Sequence, residues 1–184
     1  MKKLHLLPYR EYAASLNRKR VSAGVLFRDS TERVMLVETT YKELWDIPGG
    51  TTNPDESPWK TASRELAEEV GIQLRELRLL AVDHIPAVEG DPMPEGLAFI
   101  FDGGLVTEAE VEAITLTDPE IRSVGLFTLE EARPLVGEGL WRRIAVALRA
   151  SADGHPALCD SGRTTDWRGL GQPAPSGGDG AHPA

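Results

Sequence analysis

The chain has 184 residues, of which 41% are hydrophobic and 27% charged, and its formal net charge is −9 at pH 7. This composition predicts a globular protein with one domain of ordinary size and some additional chain. The negative charge argues against duplex nucleic acid as a partner, and a single cysteine excludes an intrachain disulfide framework or a cysteine-built zinc site.

The start of the chain predicts neither a secretion signal nor a membrane anchor. The basic residues Lys2 and Lys3 are followed by an apolar stretch of only a few residues, which Pro8 interrupts. No apolar run approaches the ~18 residues that a membrane-spanning helix requires. We therefore expect a cytoplasmic protein with no membrane partner.

The first third of the chain predicts a short helix followed by a hairpin. Residues 9–16 have the pattern of a short helix. Residues 21–27 and 34–38 are rich in branched and aromatic side chains, and turn residues separate them, so they predict two hairpin strands. Residues 39–55 predict a loop.

The clearest helix in the sequence begins at Pro58 and runs to about Val70. Ser57 is a favourable N-cap residue, and proline suits the first helical position. Gly71 stands where a glycine commonly ends a helix.

The second half of the chain predicts strands and helices in alternation. Three prolines argue for a loop at residues 86–95, and Thr128 with Glu131 forms a capping-box signature for a short helix. The predicted strands are residues 77–85, 97–101 and 121–127, and the predicted last helix is 140–150. This order favours an α/β fold with a sheet between helices.

The composition changes after about residue 152. Glycine, proline, serine and alanine dominate there, which is typical of chain without a packed core. We therefore expect one domain at residues 1–152 and a flexible tail at residues 153–184. Cys159 falls in that tail, where nothing nearby suggests a nucleophile.

Three carboxylates share one side of the predicted helix. At about 100° per residue, Glu65, Glu68 and Glu69 fall within roughly a 100° arc. Their repulsion would be relieved by a hard divalent cation, and carboxylate oxygens suit Mg²⁺, with Mn²⁺ as a substitute. The alternative is a solvated acidic face. The adjacent arc predicts the core face, formed by Trp59, Ala62, Leu66 and Val70.

The loop before this helix supplies the second half of the motif. Gly49 and Gly50 allow a backbone conformation close to a ligand, so that a backbone carbonyl could join a metal shell. Glu56 and Arg64 are expected to pair and to fasten the loop to the helix.

The segment from Gly50 to Ile72, GTTNPDESPWKTASRELAEEVGI, resembles the Nudix box of the Nudix hydrolase family at every defined position. The preceding residues 44–50, LWDIPGG, are similar to the lead-in that is common in that family. The resemblance implies a Nudix-type α/β/α sandwich with a mixed β-sheet. It also implies that the box binds magnesium through Glu65, Glu68, Glu69 and the carbonyl of Gly49, with Glu56 and Arg64 as a structural pair.

The resemblance further implies hydrolysis of a phosphoanhydride in a nucleoside diphosphate linked to another moiety. The metal ions would neutralise phosphate oxygens and lower the pKa of a water molecule, and a carboxylate would take the remaining proton. Glu120 resembles the usual position of a further carboxylate from outside the box, and Glu89 and Glu95 are alternatives.

Three residues are candidates for contacts with a small nucleotide substrate. Arg20 could meet a phosphate, and Tyr41 and Trp45 could stack on a nucleobase. A surface role for the arginine and ordinary packing for the two aromatic side chains are the alternatives.

Several functions stay open on the sequence alone. Nucleoside triphosphates, including oxidised ones, are the preferred substrates because the chain is short and lacks a large extra domain. ADP-ribose or nucleotide sugars are the alternative, and a nucleotide-sensing regulatory module on the same fold is a third. An isoprenoid diphosphate isomerase needs a catalytic cysteine, and Cys159 lies in the predicted tail. A homodimer is an open alternative to a monomer.

Overall fold

A mixed sheet of eight strands forms the centre of the protein in a computed structural model that describes residues 7–74 and 76–165. The expected helices and strands are confirmed, and four short elements, β3, α3, β7 and β8, were not predicted. In chain order the elements are α1 (Tyr9–Ser15), β1 (Arg20–Arg28), β2 (Val34–Thr39), β3 (Gly49–Thr51), α2 (Pro58–Glu69), β4 (Arg78–Ile85), β5 (Gly96–Leu105), α3 (Glu108–Glu112), β6 (Ile121–Phe127), α4 (Leu129–Leu135), α5 (Glu138–Asp153), β7 (Ala157–Asp160) and β8 (Arg163–Thr164).

The strands lie in the order β6-β2-β1-β5-β4-β7-β8, with β3 also paired to β1. β1 with β5 and β4 with β7 are parallel, and the other pairs are antiparallel. The predicted hairpin of β1 and β2 is in register only at Arg28 and Val34. Along its first half, β1 pairs instead with β3, which brings Gly49 and Gly50 into the sheet. The loop expected at residues 39–55 therefore contains a strand.

Helices cover both faces of the sheet, which confirms the predicted α/β/α sandwich. On one face, α2 and α3 bury Leu66 and Val111 against alternate residues of β1 and β2. On the other face, α4 and α5 bury Ala132 and Ile144 against the remaining residues of the same strands. Within the described parts of the chain, no helix is both long and apolar enough to cross a membrane.

Helix α2 begins and ends where the sequence predicts, with Pro58 in its first turn and Gly71 at a φ of +69° after its end. Ala62, Leu66 and Val70 are buried as expected. The prediction that Trp59 belongs to the core face is wrong, because its side chain is 58% exposed. The packed face begins only after the first turn, at Thr61 and Ala62, so that turn extends beyond the core.

The domain extends beyond the predicted boundary at residue 152. β7 pairs in parallel with β4, and Cys159 in β7 is buried rather than part of a flexible tail. Four strand residues between turns are too few to stand out in composition, and their partner strand lies far back in the chain. Residues 166–184 lie outside the described residues, so a flexible tail there stays a prediction.

Candidate active site

Arg64 fastens the loop before α2 to the helix, as the sequence predicts. Its Nε lies 3.0 Å from Glu56 Oε1, and its Nη2 lies 3.1 Å from Glu56 Oε2. Glu56 also accepts hydrogen bonds from the backbone N–H of Asn53 and from the hydroxyl of Thr61. The guanidinium and these donors lower the pKa of Glu56 to about 2.

The same guanidinium also contacts two of the three helix glutamates. Arg64 Nη1 lies 2.9 Å from Glu65 Oε1 and 2.9 Å from Glu68 Oε2. Glu68 is about half exposed, whereas the Glu65 side chain is 16% exposed. The guanidinium of Arg64 therefore orients Glu56, Glu65 and Glu68.

Glu69 makes no ion pair with the Arg64 guanidinium, and its side chain is 7% exposed. One of its oxygens accepts a hydrogen bond of 2.8 Å from the backbone N–H of Gly49. Burial raises the pKa of Glu69 to about 8, the Gly49 hydrogen bond opposes that rise, and the charges of Glu65, Asp46 and Asp118 add to it. Within residues 7–74 and 76–165, Glu69 has no ion-pair partner.

Glycines allow β3 to pass directly beneath these carboxylates. Gly49 has a φ of +150°, and a Cβ there would overlap the backbone of Ala23 and Gly24 in β1. A Cβ on Gly50 would overlap the carboxylate of Glu65. The two glycines therefore permit close approaches within the protein, at Gly49 to β1 and at Gly50 to Glu65, and the approach to a ligand stays a prediction.

The chemistry of this donor set fits a divalent cation. Glu65 and Glu69 are both largely withdrawn from water, and burial raises the pKa of each. A hard cation would stabilise their ionised forms, and carboxylate oxygens are the ligands that Mg²⁺ and Mn²⁺ prefer. In the described residues no three candidate ligands already enclose one point, so a cation would compete with Arg64 for Glu65 and Glu68.

Two acids that the sequence analysis did not single out also act on Glu69, beside Glu65. Glu120 is exposed in the turn before β6, where its carbonyl accepts a hydrogen bond from Thr40 N–H. The acids whose charges act on Glu69 include Asp118 in the same turn and Asp46 in the lead-in to the box. Sequence reasoning identified both segments but not Asp46 or Asp118, and a role for Glu120 stays a prediction; the charges of Glu120 and Glu69 both act on Tyr41.

A cleft of about 420 Å³ opens on the α5 side of the sheet and reaches β3. Arg20 and Tyr41 line it, as a substrate site requires. Trp45 instead packs edge-on against Phe127, with ring centroids 5.1 Å apart, so the packing alternative describes it better. Sequence reasoning missed two further basic residues of the cleft, Lys42 and Arg143. Its lining is Arg20, Ser22, Ala23, Gly24, Tyr41, Lys42, Asp46, Ile47, Gly49, Gly50, Thr51, Ile85, Met93, Ala98, Ile100, Leu140 and Arg143.

Comparison with known sequences identifies a family over most of the chain. The sequence model of the NUDIX domain family matches residues 18–168. The RNA pyrophosphohydrolase of Pseudomonas fluorescens strain SBW25 is 32% identical over 62 residues, which are 34% of this chain and 39% of that protein. The match therefore spans well under half of the relative's length.

Solved structures share the fold at low sequence identity. The MutT protein of Methanosarcina mazei Go1 matches with a TM-score of 0.56 and 22% identity, over 76% of this chain and 99% of that chain. An ADP-ribose pyrophosphatase of Streptococcus suis 89-1591 matches with a TM-score of 0.58 and 20% identity, over 78% and 99% of the two chains. These matches confirm the fold that the sequence predicts.

Proposed function

The chain belongs to the NUDIX domain family, and on that premise we propose that it hydrolyses a phosphoanhydride bond in a nucleoside diphosphate linked to another moiety. The observation that carries the proposal is Glu69, a carboxylate that is 7% exposed, near other acids and without a basic partner among the described residues. Burying an uncompensated negative charge is unfavourable, and such groups mark functional sites more often than structural ones. Mg²⁺ is the proposed cofactor, and Mn²⁺ the substitute.

The proposal gives a role to each of the candidate site residues in and beside the box. Glu65, Glu68 and Glu69 would hold the cation, together with the backbone of Gly49. When bound, the cation neutralises phosphate oxygens and lowers the pKa of a water molecule. Arg64 orients Glu65 and Glu68 before binding.

The reaction also needs a group that accepts the proton of the attacking water. Glu120 is the residue that the family resemblance suggests for this task, and Asp46 and Asp118 are the acids whose charges reach Glu69. Glu56 would act indirectly, because it fixes Arg64 and the loop. Attack of water on one phosphorus then gives a nucleoside monophosphate and a second phosphorylated fragment.

The cleft favours a substrate with a moiety beyond the anhydride. A short chain was the reason to prefer nucleoside triphosphates, but the Streptococcus suis ADP-ribose pyrophosphatase is matched over 99% of its length by this chain. Chain length therefore does not separate the two classes. A cleft of about 420 Å³ that begins at Gly50, with Tyr41 among its lining residues, offers room for a ribose or sugar group. Nucleoside triphosphates remain the second candidate, because the box alone does not distinguish the two substrate classes.

A substrate panel tests this function. The protein is incubated with Mg²⁺ and ADP-ribose, UDP-glucose, dGTP or oxidised dGTP, and products are followed by nucleotide chromatography and by phosphate release. We expect a nucleoside monophosphate from the diphosphate-linked compounds. Nucleotide binding without any product would favour the regulatory module instead. Cytoplasmic location and a homodimer are further proposals, tested by cell fractionation and by solution mass.

A further inference from the structure

We propose that Arg20 and Arg143 form an anion-binding subsite in the cleft, for a phosphate or carboxylate carried by the moiety beyond the cleaved anhydride. The identity of the substrate rests on the proposed function, whereas the subsite itself rests on the geometry of the cleft. Neither guanidinium belongs to the box, and the two come from opposite ends of the domain.

The floor of the cleft is open because its side chains are small. Ser22 of β1 and Ala98 of β5 lie on the α5 face and line the cleft, whereas Ile47 covers Gly24 and Arg20 covers Gly96. In register, Ser22 lies beside Ala98, and Arg20 lies beside Gly96. The floor therefore leaves room for a ligand between β1, β5 and α5.

Arg20 lies across this floor with a buried donor that has no partner. A Cβ on Gly96 would lie 3.4 Å from Arg20 Cζ, so the guanidinium covers the glycine. Arg20 Nε is buried without a hydrogen-bond partner. The carboxylate of Glu95 does not serve as that partner, because it is already bound by Lys19 at 2.5 Å and by Asn17 at 2.6 Å. A buried N–H that lacks an acceptor is costly, and an anionic ligand would supply the acceptor.

Arg143 enters the same cleft from α5 on a fixed support. Its Nε lies 2.8 Å from Oδ2 of Asp83, which is fully buried and also accepts a hydrogen bond of 2.9 Å from Gly162 N–H. Within residues 7–74 and 76–165, Nε is the only nitrogen of this guanidinium with a hydrogen bond to the protein. The Asp83 charge offsets that of Arg143, so Arg20 supplies the excess positive charge.

The two arginines and the box meet the cleft at different places along β1. Asp83, Ala98 and Ser22 are neighbours in register on β4, β5 and β1. Arg20 lies two residues before Ser22 on β1. Gly50 pairs with Ala23, three residues from Arg20. Three strand residues span about 10 Å. This backbone offset is the reason to assign the anion to a part of the substrate beyond the cleaved bond, and the matched nucleotide pairs below test that assignment.

Matched nucleotide pairs test the subsite by binding alone. Calorimetry without metal compares ADP-ribose with ADP-ribose 1″-phosphate, and UDP-glucose with UDP-glucuronate. We expect the compound with the extra anion to bind roughly 10- to 100-fold more tightly, as for a hydrogen bond to a charged group. A preference in the first pair alone assigns a phosphate, and in the second pair alone a carboxylate.

Variants show whether the arginine causes the preference. Arg20→Gln is expected to abolish it and Arg20→Lys to retain part of it, with thermal melting as the check on folding. Arg122→Gln, which removes an exposed arginine paired with Glu38, is the control for net charge and is expected to retain it. Equal binding of both members by the native protein, no measurable binding of either charged compound, or equal weakening of both members by Arg20→Gln would overturn the subsite.

Turnover of the same four compounds with Mg²⁺ separates this inference from the proposed function. A charge preference without hydrolysis leaves the subsite and removes the hydrolase. Hydrolysis without a charge preference supports the hydrolase and overturns the subsite.

Discussion

Glu69 and Asp83 are both buried carboxylates, and their surroundings are opposite. Asp83 is fully buried, and both of its oxygens are occupied, one by Arg143 and one by Gly162 N–H. Glu69 is nearly as buried and accepts one backbone hydrogen bond, and its charged neighbours are other acids and Lys42, which is itself paired with Asp46. Burial alone therefore does not distinguish a structural carboxylate from a candidate ligand.

The difference between them lies in which partner completes each site. Asp83 is completed by the protein and joins β4, α5 and the β7–β8 turn into one unit. Under the proposed function, a divalent cation completes the site of Glu69. A buried acid with all its partners indicates structure, and a buried acid among other acids indicates a binding site.

Removing the charge of Glu69 is the strongest test of that reading. Glu69→Gln is expected to reduce turnover with Mg²⁺ by roughly 1000-fold or more, because a catalytic metal supplies several kcal/mol of transition-state stabilisation. Melting without metal at pH 7 should stay the same or rise slightly, because burial raises the pKa of Glu69 to about 8 and the carboxyl therefore costs stability above pH 4.5, a cost that the amide does not have. Turnover across a magnesium titration and melting in a chelator measure the two effects.

A matched substitution controls for the loss of one acid. Glu112→Gln, at an exposed position of α3, is expected to change neither turnover nor melting. Near-normal turnover of Glu69→Gln at ordinary magnesium would leave the solvated-face interpretation as the better one.

Asp83→Asn tests the completed site, and its effect should fall on stability. We expect the free energy of unfolding to drop by about 3–5 kcal/mol, as for removal of one partner of a buried ion pair. Urea unfolding measures it. The double variant Asp83→Asn/Arg143→Gln should recover part of the loss, because it no longer leaves an unpaired charge. A single variant as stable as the native protein would mean that the pair contributes little.

Two truncations separate the structured end of the domain from the predicted tail. Ending the chain after residue 152 removes β7, β8 and the Gly162 hydrogen bond to Asp83, so we expect a loss of about 3 kcal/mol or more. Ending it after residue 165 should change neither melting nor turnover. Equal melting of the two truncated proteins would show that β7 adds nothing to the sheet.

Glu56→Gln should have a smaller effect on turnover than Glu69→Gln. Residues that orient metal ligands commonly contribute roughly 10-fold to 100-fold, and we expect the lower end. Because Arg64 lowers the pKa of Glu56 to about 2, its stabilising contribution is present above pH 4.5 and is lost as the pH falls through 2. The melting difference between native protein and Glu56→Gln should shrink over that interval. A constant difference would exclude the ion pair as its cause.

The smallest effect concerns the thiol beside the completed site. Burial raises the pKa of Cys159 to about 11, and the charge of Asp83 adds to the rise. At pH 8 the folded protein should react slowly with iodoacetamide, and protein unfolded in urea should react fully. Fast labelling of the folded protein would place Cys159 outside the sheet.

Local signals predicted much of the fold and little of the cleft. The capping box of Thr128 and Glu131 and the ends of α2 depend on neighbours in sequence, and the structure contains both. Helix α3 carries the same signature in Thr107 and Glu110, so it could have been found. β3 was hidden because it has only three residues, two of them glycines, and so gives no strand pattern.

The site divides in the same way. Glu56 and Arg64 lie eight residues apart on a loop and a helix, and their contact follows from that spacing. The Arg143 contact with Asp83 crosses 60 residues and depends on how the sheet is assembled. The metal-binding and catalytic roles of the glutamates stay predictions until they are measured.

The partners of Asp83 also fix an order in time. A ribosome makes the chain from its N-terminus, so Asp83 is made 60 residues before Arg143 and 79 residues before Gly162. All residues of the box precede Asp83, and its helix can form early. Strand β4, by contrast, holds an acid without its partners until almost the whole domain has been made. Stable folding on the ribosome is therefore expected only after Gly162 has left the exit tunnel.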